Sequence, residues 1–188
     1  MNPPPSRVVV VPRWSGGPDS DFYPWLERSL PPGLRLERLA MPDPDQPLID
    51  AWVSRVREAL GGEAERARTI LMGHSVGCMA AMRALDEAAV RPVHALLCVA
   101  GWWTVDEPWP SIRPWIETPF DTAKVRANAR RVHLIVSDDD PFTSDHRATA
   151  ARFERELGAT ATVVPGGRHF NGQAEPAVLE AISALAAK

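Results

Sequence analysis

The sequence predicts an α/β protein with a doubly wound parallel sheet, and two observations support this fold class. Short apolar runs alternate with helical patterns along the whole chain, as in proteins built from βαβ units. Most of these runs are solid apolar blocks, which is typical of strands that helices cover on both faces. The chain has 188 residues, the size of one domain, so we expect residues 1–188 to form a single unit.

Six runs have the character of β-strands. The second run differs because Arg35, Glu37 and Arg38 interrupt its leucines, so we expect it to lie near an edge of the sheet. Right-handed crossovers should connect the parallel strands. The six predicted strands are residues 7–11, 34–40, 69–73, 93–100, 131–137 and 159–164.

Five segments have helical patterns. In one of them, apolar residues from Ile49 to Leu60 follow the i, i+3, i+4, i+7 spacing of a helix with one buried face. Gly61 and Gly62 then end that helix. The other four predicted helices are residues 19–30, 76–88, 145–157 and 175–187.

Residues 101–119, which we call the tryptophan loop, interrupt this alternation. The loop holds four tryptophans and four prolines and follows the carboxyl end of a predicted strand, where ligands bind in such sheets. We expect it to form a lid or pocket wall, with Trp102 or Trp103 closest to a substrate because they leave the strand first. The same composition also fits a stiff loop whose tryptophans pack on the core.

Composition and charge exclude several classes of protein. The net charge of −3 gives no general electrostatic reason to bind nucleic acid or an anionic membrane. No apolar run is long enough for a membrane span, and the run that follows the N-terminus is too short for a signal peptide. Cys78 and Cys98 lie in apolar segments without metal-ligand spacing, so we expect buried thiols and a cytoplasmic protein.

The strongest local motif is Gly73-His74-Ser75-Val76-Gly77, which an apolar strand enters and a helix leaves. This is the pattern of a nucleophile elbow, in which a serine sits in a strained turn and glycines avoid collisions with neighbouring backbone. We therefore predict Ser75 as a nucleophile. The amide of Val76 would then donate to an oxyanion, and a second donor should come from the loop after the first strand, at Arg13 or Trp14.

A serine nucleophile needs a histidine base and a carboxylate that orients the base. Asp138, Asp139 and Asp140 follow the fifth predicted strand, and Asp140 is our first choice because Pro141 holds it in an extended conformation. Asp139 is the second choice, and Asp138 could hydrogen-bond the turn. Their spacing fits no metal-binding loop, so no metal is expected.

His169 is the predicted base. It lies in a glycine loop, residues 165–170, that follows the last predicted strand, and the order Ser, Asp, His matches that of α/β hydrolases. No nucleotide-binding glycine pattern occurs, and no cofactor is expected. The weaker histidine candidates are His74, whose side chain should point away from the nucleophile, and His94, His133 and His146.

Together these motifs resemble the small serine hydrolases of the α/β-hydrolase superfamily typified by retinoblastoma-binding protein 9. The resemblance runs nearly the full length and implies the roles of Ser75, His169 and Asp140, no cofactor, and a six-stranded sheet ordered 2-1-3-4-5-6. Three segments depart from the family. Arg13-Trp14-Ser15 stands where the family is usually richer in glycine and asparagine, Arg168 where it usually has glycine, and Thr143-Ser144 where it usually has Val-Pro or Leu-Pro. The matching segments are Val9 to Pro12, Met41 to Pro44, Gly73 to Gly77, Asp139 to Phe142, and His169-Phe170.

We therefore predict a serine hydrolase that cleaves ester, thioester or amide bonds in a small-molecule or peptide acyl substrate through an acyl-enzyme. The alternative is a protein of the same fold that binds a protein partner and has weak or no catalysis. An intact Ser-Asp-His set favours the enzyme.

Overall fold

The computed structural model describes residues 3–87 and 91–187. Its strands are β1 (Arg7–Val11), β2 (Arg35–Arg38), β3 (Thr69–His74), β4 (Ala95–Val99), β5 (Val132–Ser137) and β6 (Thr160–Val164). All pairings in this six-stranded sheet are parallel, and the strand order is β2-β1-β3-β4-β5-β6, which confirms the predicted order. The order reverses beside β1, so a crevice opens at the carboxyl ends of β1 and β3.

The central strands are the most apolar because helices cover both of their faces. Every residue of β1, β3 and β4 is buried. The second strand lies at an edge, as its charged residues predicted, and is partly exposed. The sixth strand forms the other edge and is also largely exposed.

All five predicted helices are present, with shorter ends in four cases. The first begins at Tyr23 rather than at residue 19. The predicted end of the helix over residues 76–88, Ala88, lies outside the described residues. Three short helices, at residues 63–66, 113–117 and 122–127, were not predicted. The helices are α1 (Tyr23–Ser29), α2 (Ile49–Leu60), α3 (Glu63–Arg66), α4 (Val76–Leu85), α5 (Arg113–Glu117), α6 (Thr122–Ala127), α7 (His146–Leu157) and α8 (Pro176–Ala186).

Two apolar clusters cover the two faces of the sheet. One includes Trp52 from α2 and Phe153 from α7, together with Trp115 from the tryptophan loop. The other includes Phe22 and residues of α1 and α8. Each large apolar side chain that is fully buried here stabilises the fold by roughly 1.5–3 kcal/mol. These layers hold the carboxyl edge of the sheet rigid beneath the loops that leave it.

Among the described residues, no helix combines the length and the apolar character that crossing a membrane requires.

Candidate active site

Ser75 occupies a sharp turn between β3 and α4. Its φ of 56° and ψ of −122° lie in a region that side chains rarely adopt, and its amide donates to the Val99 carbonyl at 2.9 Å. A Cβ on Gly73 would lie 2.5 Å from the backbone of Cys78, and one on Gly77 would lie 2.2 Å from the Val11 carbonyl oxygen. Glycine is therefore required on both sides of the turn, which has the geometry of a nucleophile elbow.

Asp140 and His169 meet beside this turn. Asp140 Oδ2 lies 2.8 Å from His169 Nδ1, and the side chains are only 3% and 8% exposed. The other oxygen of Asp140, Oδ1, accepts a hydrogen bond from the Phe142 amide at 2.9 Å. With both oxygens engaged, the carboxylate fixes the orientation of the imidazole and leaves Nε2 available on its far side.

The two preceding aspartates bind the backbone of the loop that carries His169, the base loop (residues 165–170). Asp138 Oδ1 accepts from the Gly166 amide at 2.9 Å. Asp139 Oδ1 accepts from the Arg168 amide at 2.7 Å and from Ser137 Oγ at 2.5 Å. The hydrogen bond from the Ser137 hydroxyl lowers the pKa of Asp139, and the hydrogen bond from the Arg168 amide lowers it further by a smaller amount. All three consecutive carboxylates therefore hold the base loop, and only Asp140 contacts the imidazole.

The hydroxyl of Ser75 contacts Trp102. The indole Nε1 of Trp102 donates to Ser75 Oγ at 3.3 Å, and Trp102 is buried. Trp103 faces elsewhere: its ring packs against Phe120 and Phe153. Within the described residues Ser75 Oγ and His169 are not hydrogen-bonded to each other, a bond that in many hydrolases tightens only when substrate binds.

Two backbone amides are suited to stabilise an oxyanion. Val76 begins α4, so its amide has no helical carbonyl to bind. Of the two candidates in the first-strand loop (residues 12–17), the Arg13 amide donates to Tyr23 Oη at 3.4 Å. The Trp14 amide makes no hydrogen bond within the described part of the chain. The geometry therefore favours Trp14 over Arg13 as the second donor.

Aromatic rings connect the tryptophan loop, the acid-bearing turn and the first-strand loop. The Phe142 ring lies 4.6 Å from the His169 ring and 5.9 Å from Trp109, measured between centroids. Trp109 in turn lies 5.6 Å from Trp14. The tryptophan loop thus contacts both the acid-bearing turn and the first-strand loop, and these rings form an apolar rim.

The contacts of His74 could not be predicted from the sequence. It is fully buried, and its ring nitrogens contact Tyr23 Oη at 2.7 Å and the His169 carbonyl oxygen at 2.9 Å. Burial, and then the proximity of His169, lower the pKa of His74 to about 3, so the ring is neutral at physiological pH. The only available signal was the imidazole next to Ser75, which did not indicate its partners.

The remaining histidines lie away from Ser75. His94 contacts the Leu185 carbonyl at the end of α8, and His133 contacts Thr160 and Thr162 on β6. His146 begins α7. Among the residues that the structure describes, no group of three or more His, Cys, Asp or Glu side chains is arranged to hold a metal ion.

The parallel sheet, the strained serine turn and the order of Ser75, Asp140 and His169 together define an α/β hydrolase fold. The comparisons with known proteins then identify the family. The profile of the serine hydrolase family matches residues 8–187, and the chain belongs to this family.

A relative in sequence agrees with this assignment, and two solved structures share the fold. The chain is 28% identical over 160 residues to rat serine hydrolase RBBP9, covering 81% of this chain and 83% of that protein. The crystal structure of the ydeN gene product of Bacillus subtilis superimposes with a TM-score of 0.83 at 22% identity, covering 97% of this chain and all of the other. Est1E of Butyrivibrio proteoclasticus has a TM-score of 0.71 at 14% identity, covering 100% and 90% of the two chains.

Proposed function

We propose that this hydrolase cleaves ester, thioester or amide bonds without a cofactor, through an acyl-enzyme on Ser75. The observation that carries the proposal is the buried contact of 2.8 Å between Asp140 and His169, at the sheet edge where Ser75 is held in its strained turn. In the proposed mechanism Ser75 is the nucleophile, His169 the general base and Asp140 the group that orients the base.

The reaction begins when Ser75 Oγ attacks the carbonyl carbon of the substrate and its proton passes to His169 Nε2. The carbonyl oxygen becomes an oxyanion, which the amides of Val76 and Trp14 stabilise. The intermediate collapses as the bond to the leaving group breaks and the protonated His169 gives its proton to that group. His169 then takes a proton from water, the hydroxide attacks the acyl carbon, and Ser75 leaves with a proton from His169.

Trp102 and the rim of Trp109 and Phe142 give the proposed acyl site an apolar character. Trp102 is the residue of the tryptophan loop that reaches Ser75 Oγ, so we propose it as a wall of the substrate pocket. Trp103, also a pocket candidate from its sequence position, packs against Phe120 and Phe153, and we propose for it a role in the core. Acyl groups with aromatic or extended apolar parts suit such a surface.

Two structural neighbours support ester and thioester chemistry. One solved structure shows ferulic acid bound to Est1E. Another is RedJ, a thioesterase of the prodiginine pathway of Streptomyces coelicolor, with a TM-score of 0.66 at 14% identity over 96% of this chain.

We propose a cytoplasmic location, which suits the free buried thiols of Cys78 and Cys98.

A panel of substrates tests the proposal. Aryl esters of increasing acyl length, acyl thioesters and aminoacyl amides would be assayed with the unmodified protein and with Ser75→Ala. We expect turnover of at least one class, and a loss on the order of 10³-fold or more in the variant. The variant should melt at nearly the same temperature. Equal turnover by the folded variant would place the chemistry elsewhere, and no turnover of any class would favour the binding protein.

A further inference from the structure

His74 is a buried imidazole that the proposed reaction does not use. It is the last residue of β3 and is followed directly by Ser75. Its Nδ1 lies 2.7 Å from Tyr23 Oη, and its Nε2 lies 2.9 Å from the carbonyl oxygen of His169. Tyr23 is also fully buried, at the start of α1. One imidazole thus connects the serine turn to the backbone of the base loop.

The chemistry of these partners sets the direction of each hydrogen bond. The His169 carbonyl can only accept, so Nε2 of a neutral His74 carries the proton and Nδ1 carries the lone pair. Tyr23 must therefore donate its hydroxyl proton to Nδ1. Its oxygen then accepts from the Arg13 amide at 3.4 Å. A one-way chain of hydrogen bonds thus runs from the first-strand loop to the base loop.

A second path joins the same two loops. The side-chain amide of Asn171 satisfies both of its neighbours when its nitrogen donates to the His169 carbonyl oxygen at 2.9 Å and its oxygen accepts from Arg13 Nε at 2.8 Å. Arg13 Nε carries one hydrogen, which Asn171 shares with Asp21 Oδ2 at 2.7 Å, while Arg13 Nη2 donates to Asp21 Oδ1 at 3.1 Å. The His169 carbonyl is therefore held by two donors, both linked to Arg13.

We propose that His74 is a positioning residue which, with Tyr23, sets the base loop and the first-strand loop at fixed places relative to Ser75. The inference rests on the proposed function. Asp140 orients the imidazole of His169 from one side, while His74 holds its backbone from the other. The Arg13 amide is held by Tyr23, and this presents the next amide, that of Trp14, toward the oxyanion.

The neutral state of His74 suits this position. The rings of His74 and His169 are 5.6 Å apart between centroids, so a charge on His74 would oppose the imidazolium that forms on His169 during the reaction. Burial is the main cause that keeps the pKa of His74 near 3. Burial also raises the pKa of Tyr23, so the phenol keeps the proton that it donates.

Tyr23→Phe tests the proposal because it removes one hydroxyl and leaves the buried ring. We expect kcat to fall on the order of 10- to 100-fold, with KM changed by less than about threefold, since a misplacement of catalytic groups by about 1 Å can cost on the order of 10²-fold. Fluorophosphonate labelling should slow by a similar factor and still go to completion. His74→Gln, which can still donate to the His169 carbonyl, should retain more activity than His74→Leu.

Thr69→Val is the matched control. Thr69 lies at the opposite end of the same strand, is equally buried, and bonds to Arg7 Nε and to the Glu65 carbonyl, each at 2.7 Å. This variant should lower the melting temperature and leave kcat within about twofold. Wild-type kcat in Tyr23→Phe, or an equal fall of kcat in Thr69→Val, would overturn the positioning role.

A ¹⁵N NMR measurement of the histidine tautomers separates this inference from the proposed function. It should show His74 protonated at Nε2 and unprotonated at Nδ1, and the opposite tautomer would overturn the hydrogen-bond chain. This measurement needs no substrate. If the unmodified protein never reacts with fluorophosphonate, the proposed function is refuted. The NMR measurement would still show whether His74 carries its proton on Nε2.

Discussion

Replacing Asp140 by asparagine should inactivate the protein without unfolding it, and the structure gives the reason. The two carboxylate oxygens have different partners, because Oδ1 accepts from the Phe142 amide at 2.9 Å and Oδ2 faces His169 Nδ1 at 2.8 Å. In Asp140→Asn the amide oxygen is held by the Phe142 amide, so the NH₂ group turns toward His169. Nδ1 must then accept a hydrogen bond, and the proton moves to Nε2.

With Nε2 protonated, His169 cannot take the proton of Ser75. The expected fall in kcat is on the order of 10⁴-fold, as for the equivalent change of tautomer in serine proteases, which corresponds to about 5.5 kcal/mol in the activation free energy. Ester hydrolysis under saturating substrate measures this loss, and circular dichroism with a thermal melt checks that the fold is retained.

Asp139→Asn is the control for that experiment. Its Oδ1 accepts from the Arg168 amide and from Ser137 Oγ, and an asparagine oxygen can still accept both hydrogen bonds. We expect a loss of less than about tenfold. A larger loss in Asp139→Asn than in Asp140→Asn would refute the reasoning and move the acid by one position.

Three further predictions concern the elbow, acid stability and the pocket. Gly77→Ala should destabilise the protein by about 3 kcal/mol in urea titrations, since its Cβ would meet the Val11 carbonyl at 2.2 Å, and a smaller effect than 1 kcal/mol would contradict that geometry. The pKa of His74 is lowered to about 3, so between pH 6.5 and 3 this residue binds a proton in the unfolded chain and not in the folded one. Its contribution to the unfolding free energy should therefore fall by about 1.4 kcal/mol for each pH unit from 6.5 down to 3. His74→Gln should make the measured slope shallower by about this amount, and an unchanged slope would contradict the lowered pKa. Trp102→Ala should shift ester preference toward longer acyl chains, because it removes the ring that contacts Ser75. Trp103→Ala should chiefly lower the melting temperature, because that ring packs against Phe153. An equal loss of activity for every chain length in Trp102→Ala would assign the Trp102 ring to the core.

The sequence predicted the fold through local patterns and through its resemblance to a known family. Strand order followed from the apolar runs and the family resemblance, and the serine turn followed from a five-residue motif between a strand and a helix. The three short helices were not predicted because four to six residues carry too little periodicity to be recognised.

Features that depend on long-range contacts could not be predicted from the sequence. His74 meets a tyrosine 51 positions away and a carbonyl 95 positions away, and no local pattern encodes either contact. Trp102 contacts Ser75 and its neighbour Trp103 packs against Phe120 and Phe153, and composition alone could not distinguish the two. The catalytic roles of Ser75, Asp140 and His169 stay predictions.

The most direct test of the proposed hydrolase is covalent labelling of Ser75. The unmodified protein would be incubated with a fluorophosphonate probe, and intact mass and peptide mapping would give the stoichiometry and the modified residue. We expect one adduct per chain, on Ser75, with labelling abolished in Ser75→Ala and slowed in Asp140→Asn. No adduct on the folded protein, or an adduct that persists in Ser75→Ala, would contradict the proposal that Ser75 is the nucleophile.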